Sequence, residues 1–386
     1  MPISYDGPLP VTGAWQEGDH PGFRKFVNLG SIDLELGGSL PDVKVAYETF
    51  GKLNSTGTNA IFIEHALTGD SHVAGLDVEG HLTRGWWDNL IGPGLPIDTN
   101  EWFVVCANVL GGCQGTTGPS SVDESGNNWG SKFPRVSVSD QVEIEKRLTD
   151  YLNIEKWASI MGGSMGGMRV LEWAVEHPNR LNSAFVIASA PRSSADQIAT
   201  QSAQIAAIKS DPNWKNGDYY QSKPGEGPHK GLGLARKFAQ LTYRSETELD
   251  VRFGRDNQDG EDPYSDGRFA IESYLDHHAE KLVRRFDANS YIVLSDSMST
   301  FDIGRNRGGV GNALEQIKAP IIVAGIDSDR LYPIRQQADL VSALPYKSQL
   351  HVISSPFGHD GFLIEFDQVA PVITKTLEIA TQKTIK

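Results

Sequence analysis

Cysteine is nearly missing from this chain: Cys106 and Cys113 are the two thiols among 386 residues. Two thiols make no disulfide framework, and no other cysteines offer metal-ligand spacing. Positive charge is in deficit as well. Lys and Arg number 35 against 49 Asp and Glu, a formal charge of −14. That balance speaks against nucleic acid as a partner, because a phosphate backbone calls for a basic face. No apolar run approaches membrane-spanning length, and no apolar core follows a basic N-terminal stretch, so neither a membrane partner nor a secretory signal is expected. Internal repeats, low-complexity tracts and long charge runs are lacking too. What is left, 39% hydrophobic and 22% charged residues, is the make-up of an ordinary soluble enzyme. A cytoplasmic protein without a metal or a permanently bound cofactor is the expectation, with either one large α/β domain bearing an insertion or two modest domains.

The most informative segment is Gly162-Gly163-Ser164-Met165-Gly166-Gly167. Lys156 to Met161 reads as a short buried strand, and Met165 to Glu176 carries apolar residues at helical spacing. A serine between them, with glycines two before and two after, matches a nucleophile on a sharp strand-to-helix turn. The helix N-terminus would aim its free N–H groups at negative charge forming there. Two further segments supply partners. The apolar run Ala319 to Ile326 reads as a parallel core strand entering the acidic turn Asp327-Ser328-Asp329. The strand Gln349 to Ser354 ends in Ser355-Pro356-Phe357-Gly358-His359-Asp360-Gly361. Ser, then Asp, then His, each just after a strand, is the chain order of the α/β-hydrolase triad. Ser164, Asp329 and His359 are therefore the candidate catalytic residues. Asp327 competes with Asp329 from the same turn; the loop position favours Asp329, and Asp327 borders the strand. His351 reads as a packed or solvent-facing strand residue, and His277 and His278 as surface residues of a charged helix.

Asp42 to Phe50, Ala60 to Leu67, Trp102 to Val109 and Ala184 to Ala188 read as further strands, and Ser139 to Glu143 opens a capped amphipathic helix. The alternation predicts a mostly parallel central sheet flanked by helices. From about Ala195 to Ala313 it gives way to helical patterns: Gln201 to Ile208, Leu234 to Tyr243, and Phe269 to Phe286. The division expected is a first core part over 1–194, an inserted helical lid over 195–313, and a second core part over 314–386 that ends in a helix from Gly361 to Thr381. In such a fold the loop His65-Ala66-Leu67-Thr68-Gly69 supplies half of the oxyanion hole, which makes the N–H groups of Leu67 and Met165 the candidate donors.

His65 to Ser71, Asn108 to Ser121, Gly162 to Gly167, Ser328 to Pro333, Gly358-His359-Asp360, and the stretches Gly233 to Arg236 and Leu241 to Arg244 together resemble the homoserine O-acetyltransferase family. The resemblance spans nearly the whole chain. It implies an α/β-hydrolase fold with a helical lid, acetyl-CoA as co-substrate and L-homoserine as acceptor, in a step of methionine biosynthesis. It also implies a homodimer formed through the lid helices. A zwitterionic acceptor needs one cation and one anion, and the resemblance puts these at Arg236 and Asp360, with Tyr243 and Thr68 nearby. Relatives that use succinyl-CoA, or serine as acceptor, leave donor and acceptor open. A serine esterase, with water as acceptor, is the alternative of another reaction class.

Overall fold

Apolar segments that end in glycine-rich or acidic turns become the strands of one twisted sheet in the computed structural model, which describes residues 7–384. In chain order the strands are β1 (Lys25–Asn28), β2 (Ile32–Asp33), β3 (Ser39–Leu40), β4 (Lys44–Phe50), β5 (Ala60–Glu64), β6 (Ile91–Gly92), β7 (Ile97–Asp98), β8 (Phe103–Ala107), β9 (Trp157–Gly163), β10 (Leu181–Ile187), β11 (Ile321–Ile326) and β12 (Leu350–Ile353). Two short pairs, β2–β3 and β6–β7, stand apart; the other eight form one sheet in the order β1-β4-β8-β5-β9-β10-β11-β12. β4 runs antiparallel to both β1 and β8, and every pairing from β8 to β12 is parallel.

The parallel strands are apolar on both faces because helices cover both. Along β5, Ala60 and Phe62 face one core and Ile61 and Ile63 the other, the two-residue period of a strand. The first core is completed by helices α1 (Val138–Tyr151) and α2 (Met165–Glu176), the second by α10 (Phe366–Thr384) through Val369, Val372, Ile373 and Leu377. α1 begins earlier than Ser139: Ser137 is its cap, in a reciprocal box with Asp140. The C-terminal helix is likewise displaced from its expected start, because Gly358–Leu363 forms a 3₁₀ turn ahead of α10.

Between β10 and β11 lie α3 (Ala195–Lys209), α4 (His229–Tyr243), α5 (Glu246–Phe253), α6 (Ala270–Val283), α7 (Ala288–Ser299) and α8 (Val310–Leu314), with no strand among them. α4 packs on α3 and α6 and reaches the 3₁₀ turn that carries His359. The backbone there is tight: a Cβ on Gly358, whose φ is +65°, would lie 2.6 Å from the Tyr243 carbonyl oxygen. Among the described residues no helix is long and apolar enough to cross a membrane.

Candidate active site

Ser164 sits where β9 turns into α2 with φ 56° and ψ −125°, a backbone region that side chains with a Cβ rarely enter. Close packing imposes it. A Cβ on Gly162 would come within 2.7 Å of the Gly166 carbonyl carbon, and one on Gly166 within 2.1 Å of the Glu64 carbonyl oxygen. Strand β5, strand β9 and the start of α2 therefore interlock, and the elbow lifts Ser164 to the sheet's C-terminal edge.

Three distant segments converge there. His359 Nε2 lies 2.9 Å from Ser164 Oγ, and His359 Nδ1 lies 2.7 Å from Asp329 Oδ2. The other carboxylate oxygen of Asp329 accepts the N–H groups of Leu331 and Tyr332, both at 2.8 Å, which fixes its orientation. Asp327 plays a different part. It is exposed, and its Oδ1 accepts the Ser355 N–H at 3.0 Å, which ties the loop after β11 to the loop after β12. Asp329→Asn is expected to lower turnover by about 10⁴-fold, while Asp327→Asn retains most activity; equal losses in steady-state rates would reverse the assignment.

The rings of Tyr332, Tyr243 and Phe362 surround the imidazole at centroid distances of 5.3, 5.7 and 5.6 Å. Burial drives His359 toward neutrality, but the charge and hydrogen bond of Asp329, with Asp360 behind, outweigh it and raise its pKa above the ordinary 6.5. Tyr332 is a neighbour the sequence reading did not single out; its place three residues after Asp329 was the available signal.

Met165 opens α2, so its N–H is one of the helix's free donors. The facing loop, which carries Leu67, is held from below and from above. Below, the fully buried Arg169 of α2 donates to the His65 carbonyl at 2.5 Å and contacts Glu64 and Glu145 at 2.9 and 2.7 Å. His65 Nε2 accepts the Val109 N–H at 3.1 Å and its Nδ1 lies 2.8 Å from the Ala66 carbonyl. Burial and the Arg169 charge push its pKa down to about 3, so the ring is neutral. Above, Arg285, just past α6, donates to the Thr68 carbonyl and pairs with Asp70 at 3.4 Å. Neither clamp was found by reading the chain.

A family model described as alpha/beta hydrolase fold matches residues 59–366. Homoserine O-acetyltransferase of Thermobifida fusca is 54% identical over 371 residues, 96% of this chain and 98% of that protein. The chain belongs to the homoserine O-acetyltransferase family. Among solved structures, the homoserine O-acetyltransferase from Bacillus anthracis superposes with a TM-score of 0.85 at 27% identity, covering 92% of this chain and 97% of that one. Esterase E22 superposes nearly as well, with a TM-score of 0.83 at 26% identity over 92% and 99% of the two chains. The family scaffold is thus shared with an enzyme named for ester cleavage, and the residues that receive an acceptor have to distinguish the two chemistries.

The acceptor contacts expected from the resemblance are Arg236 and Tyr243 on α4, Asp360 in the 3₁₀ turn after β12, and Thr68 in the loop after β5. Arg236 stacks on the Tyr243 ring, with its guanidinium carbon 5.2 Å from the centroid, and its Nε and Nη1 are buried without a hydrogen-bond partner. Asp360, next to the candidate base, keeps 21% of its side-chain surface open and lies 3.4 Å from Arg244 Nη1. Burial raises its pKa, against Arg236, His359 and Arg244, which pull it down. Arg244 is itself locked to Glu248 at 2.7 Å, so it steadies Asp360 while Arg236 keeps free donors. Thr68 is half-buried in the loop that Arg285 holds. One surface expectation needs correcting. His277 is exposed, but His278 is half-buried against Tyr274 at 4.5 Å, and burial together with Arg236 lowers its pKa to about 4.

Proposed function

We propose that this protein transfers an acetyl group from acetyl-CoA to the side-chain hydroxyl of L-homoserine, through an acyl-Ser164 intermediate, as a step of methionine biosynthesis. The observation that carries the reading is the pair of unpartnered guanidinium nitrogens on Arg236 near Asp360, the residue that follows His359. Buried cationic donors without an acceptor suit a carboxylate, and Asp360 suits the ammonium of the same amino acid. An esterase acting on neutral esters needs neither.

In this mechanism His359 takes the Ser164 proton as the oxygen attacks the thioester carbonyl. Charge on the tetrahedral oxygen meets the N–H groups of Leu67 and Met165. The C–S bond breaks, the CoA thiolate leaves with the proton from His359, and the acyl group stays on Ser164. His359 then deprotonates the homoserine hydroxyl, which attacks the acyl carbon; the ester C–O bond to Ser164 breaks and Ser164 regains the proton. Asp329 holds Nδ1–H throughout and stabilises the imidazolium. The base must be neutral to act, so the rate falls as pH drops through the raised His359 value.

The helices from α3 to α8 act as a lid over 195–313 that keeps water from the acyl-enzyme. Thiol release with acetyl-CoA or succinyl-CoA, each with homoserine, with serine and without an amino acid, tests the proposal. Fast release that needs both acetyl-CoA and homoserine supports it. Faster release with succinyl-CoA or serine, or release indifferent to the amino acid, overturns it.

The same lid carries an exposed apolar stripe, Leu234, Phe238 and Leu241 on α4 at 45%, 42% and 40% exposure, beside Ile198 on α3 at 41%. Spacing of four and three residues places the α4 members on one helical face. This supports a homodimer through the lid helices, in a cytoplasmic setting that suits the free, buried Cys106 and Cys113. Sedimentation should give a dimer for the native chain and a monomer for Phe238→Asp; a native monomer would remove the proposal.

A further inference from the structure

One buried cluster of ionisable groups has no part in this mechanism: Glu48 on β4 with His72 and His81, at 0%, 3% and 3% exposure. Their hydrogen bonds locate the protons. The Phe23 N–H donates to His81 Nε2 at 3.0 Å, so that nitrogen carries no hydrogen and His81 is a neutral ring. Glu48 Oε1 lies 3.5 Å from the same nitrogen but accepts the Ser71 hydroxyl at 2.8 Å. His72, in contrast, faces an acceptor at each end. Its Nδ1 is 3.0 Å from Glu48 Oε2 and its Nε2 is 3.1 Å from the Leu76 carbonyl oxygen. A neutral ring could serve only one of them and would set a lone pair against the other.

The three side chains are also close enough to share a cation, with ligand atoms within 4.8 Å of one another. The ring geometry opposes that use. The imidazoles stack at 3.9 Å with planes 12° apart, so their in-plane lone pairs do not converge on one point.

We propose that His72 is held as an imidazolium between Glu48 and the Leu76 carbonyl, and that this charge state positions the loop from Leu67 to Leu76. The proposal rests on the reading of Leu67 as an oxyanion donor. The connections are short. Ser71, which donates to Glu48, receives Asn108 Oδ1 on its own N–H at 2.8 Å, and the His72 N–H binds Asp70 Oδ1 at 3.0 Å. Asp70 is the residue that Arg285 grips beside Thr68. His72 is thus a positioning residue that acts through the loop.

The groups facing it are Glu48 from β4, Asp70 and Asp88 from the flanking loop, and His81 across the stack; Arg24 acts on His81, and its guanidinium donates to the Gly80 carbonyl at 2.8 Å. Burial works against the charge on His72, but the hydrogen bond and charge of Glu48, with Asp70, outweigh it, so its pKa is raised above 6.5. A group raised on folding contributes fully below its unfolded value, and the contribution is lost as pH rises through the folded one. His72 lines a cavity of about 550 Å³, which gives its proton a route to solvent.

Ring ¹⁵N spectra of the whole protein, assigned with His72→Gln, test the proposal without substrate, so their outcome is separable from the acyl-transfer reading. At pH 6.5 His72 should show two protonated nitrogens and His81 one; a neutral His72 overturns the proposal. Thermal midpoints followed above pH 6.5 should fall in a step that His72→Gln lacks, and the ratio of parent to variant kcat, from which the shared His359 titration cancels, should fall over the same range. That variant should also show kcat lower by about tenfold, with the KM for homoserine little changed. The same step in the variant, or loss of the His72 and His81 proton signals on adding zinc alone, overturns it as well.

Discussion

Ser164→Ala will fold like the parent and form no acyl-enzyme, with kcat reduced by on the order of 10⁶-fold. The backbone at this position is already in its unusual conformation, and alanine carries the same Cβ, so the substitution adds no strain. What it removes is one buried hydroxyl whose partner is His359 Nε2 at 2.9 Å. The imidazole keeps Asp329 and its three aromatic neighbours, so the pocket should survive with its electrostatics intact. Intact-mass measurement after mixing with acetyl-CoA alone is the direct check: the parent gains an acetyl group and the variant does not. An adduct on the variant would mean that another residue accepts the acyl group.

The second large effect is on stability. Arg169→Met should destabilise the fold by about 3–5 kcal/mol, because it strips the cation from a buried site and leaves two carboxylates behind. Arg169 is wholly buried, with Glu64 and Glu145 at 1% and 3% exposure, and the Trp173 indole donates to Glu145 at 3.0 Å. Burial raises the Glu64 pKa and opposes the Arg169 charge, yet Glu64 and Glu145 together raise the Arg169 pKa, so the cation persists. Urea midpoints will show the loss, and adding Glu64→Gln and Glu145→Gln should recover part of it, since charges are then removed together. A single variant within about 1 kcal/mol of the parent would show that the pair network contributes little. Activity in the folded fraction should also drop, because the bond from Arg169 to the His65 carbonyl, just before Leu67, goes with it.

The legible parts of the site were those written in contiguous residues. Ser164, Asp329 and His359 each follow a recognisable strand, so their chain order could be read without coordinates. The choice between Asp327 and Asp329 could not be made that way, since both lie in one turn and only the direction of each carboxylate separates them. Glu64, Glu145 and Arg169 meet because α2 packs on β5 and β9 from one side and on α1 from the other, a relation that no local pattern records. Glu48, His72 and His81 meet for a similar reason across β4 and a long loop. Strand β1 escaped because it is four residues on an antiparallel edge, with two of them exposed. Helix α7 escaped because it buries Asn289, Ser290, Ser295 and Ser297 among its apolar residues, which blurs the helical stripe.

The collision that a Cβ on Gly166 would make with the Glu64 carbonyl has a wider meaning. It welds Ser164, the proposed acyl acceptor, and the strand leading to the Leu67 loop into a single casting, with no slack for one to be re-aimed without the other. On the proposed reading, the choice between an amino-acid acceptor and water falls to groups outside this joint: Arg236 and Tyr243 on α4, and Asp360 in the 3₁₀ turn after β12.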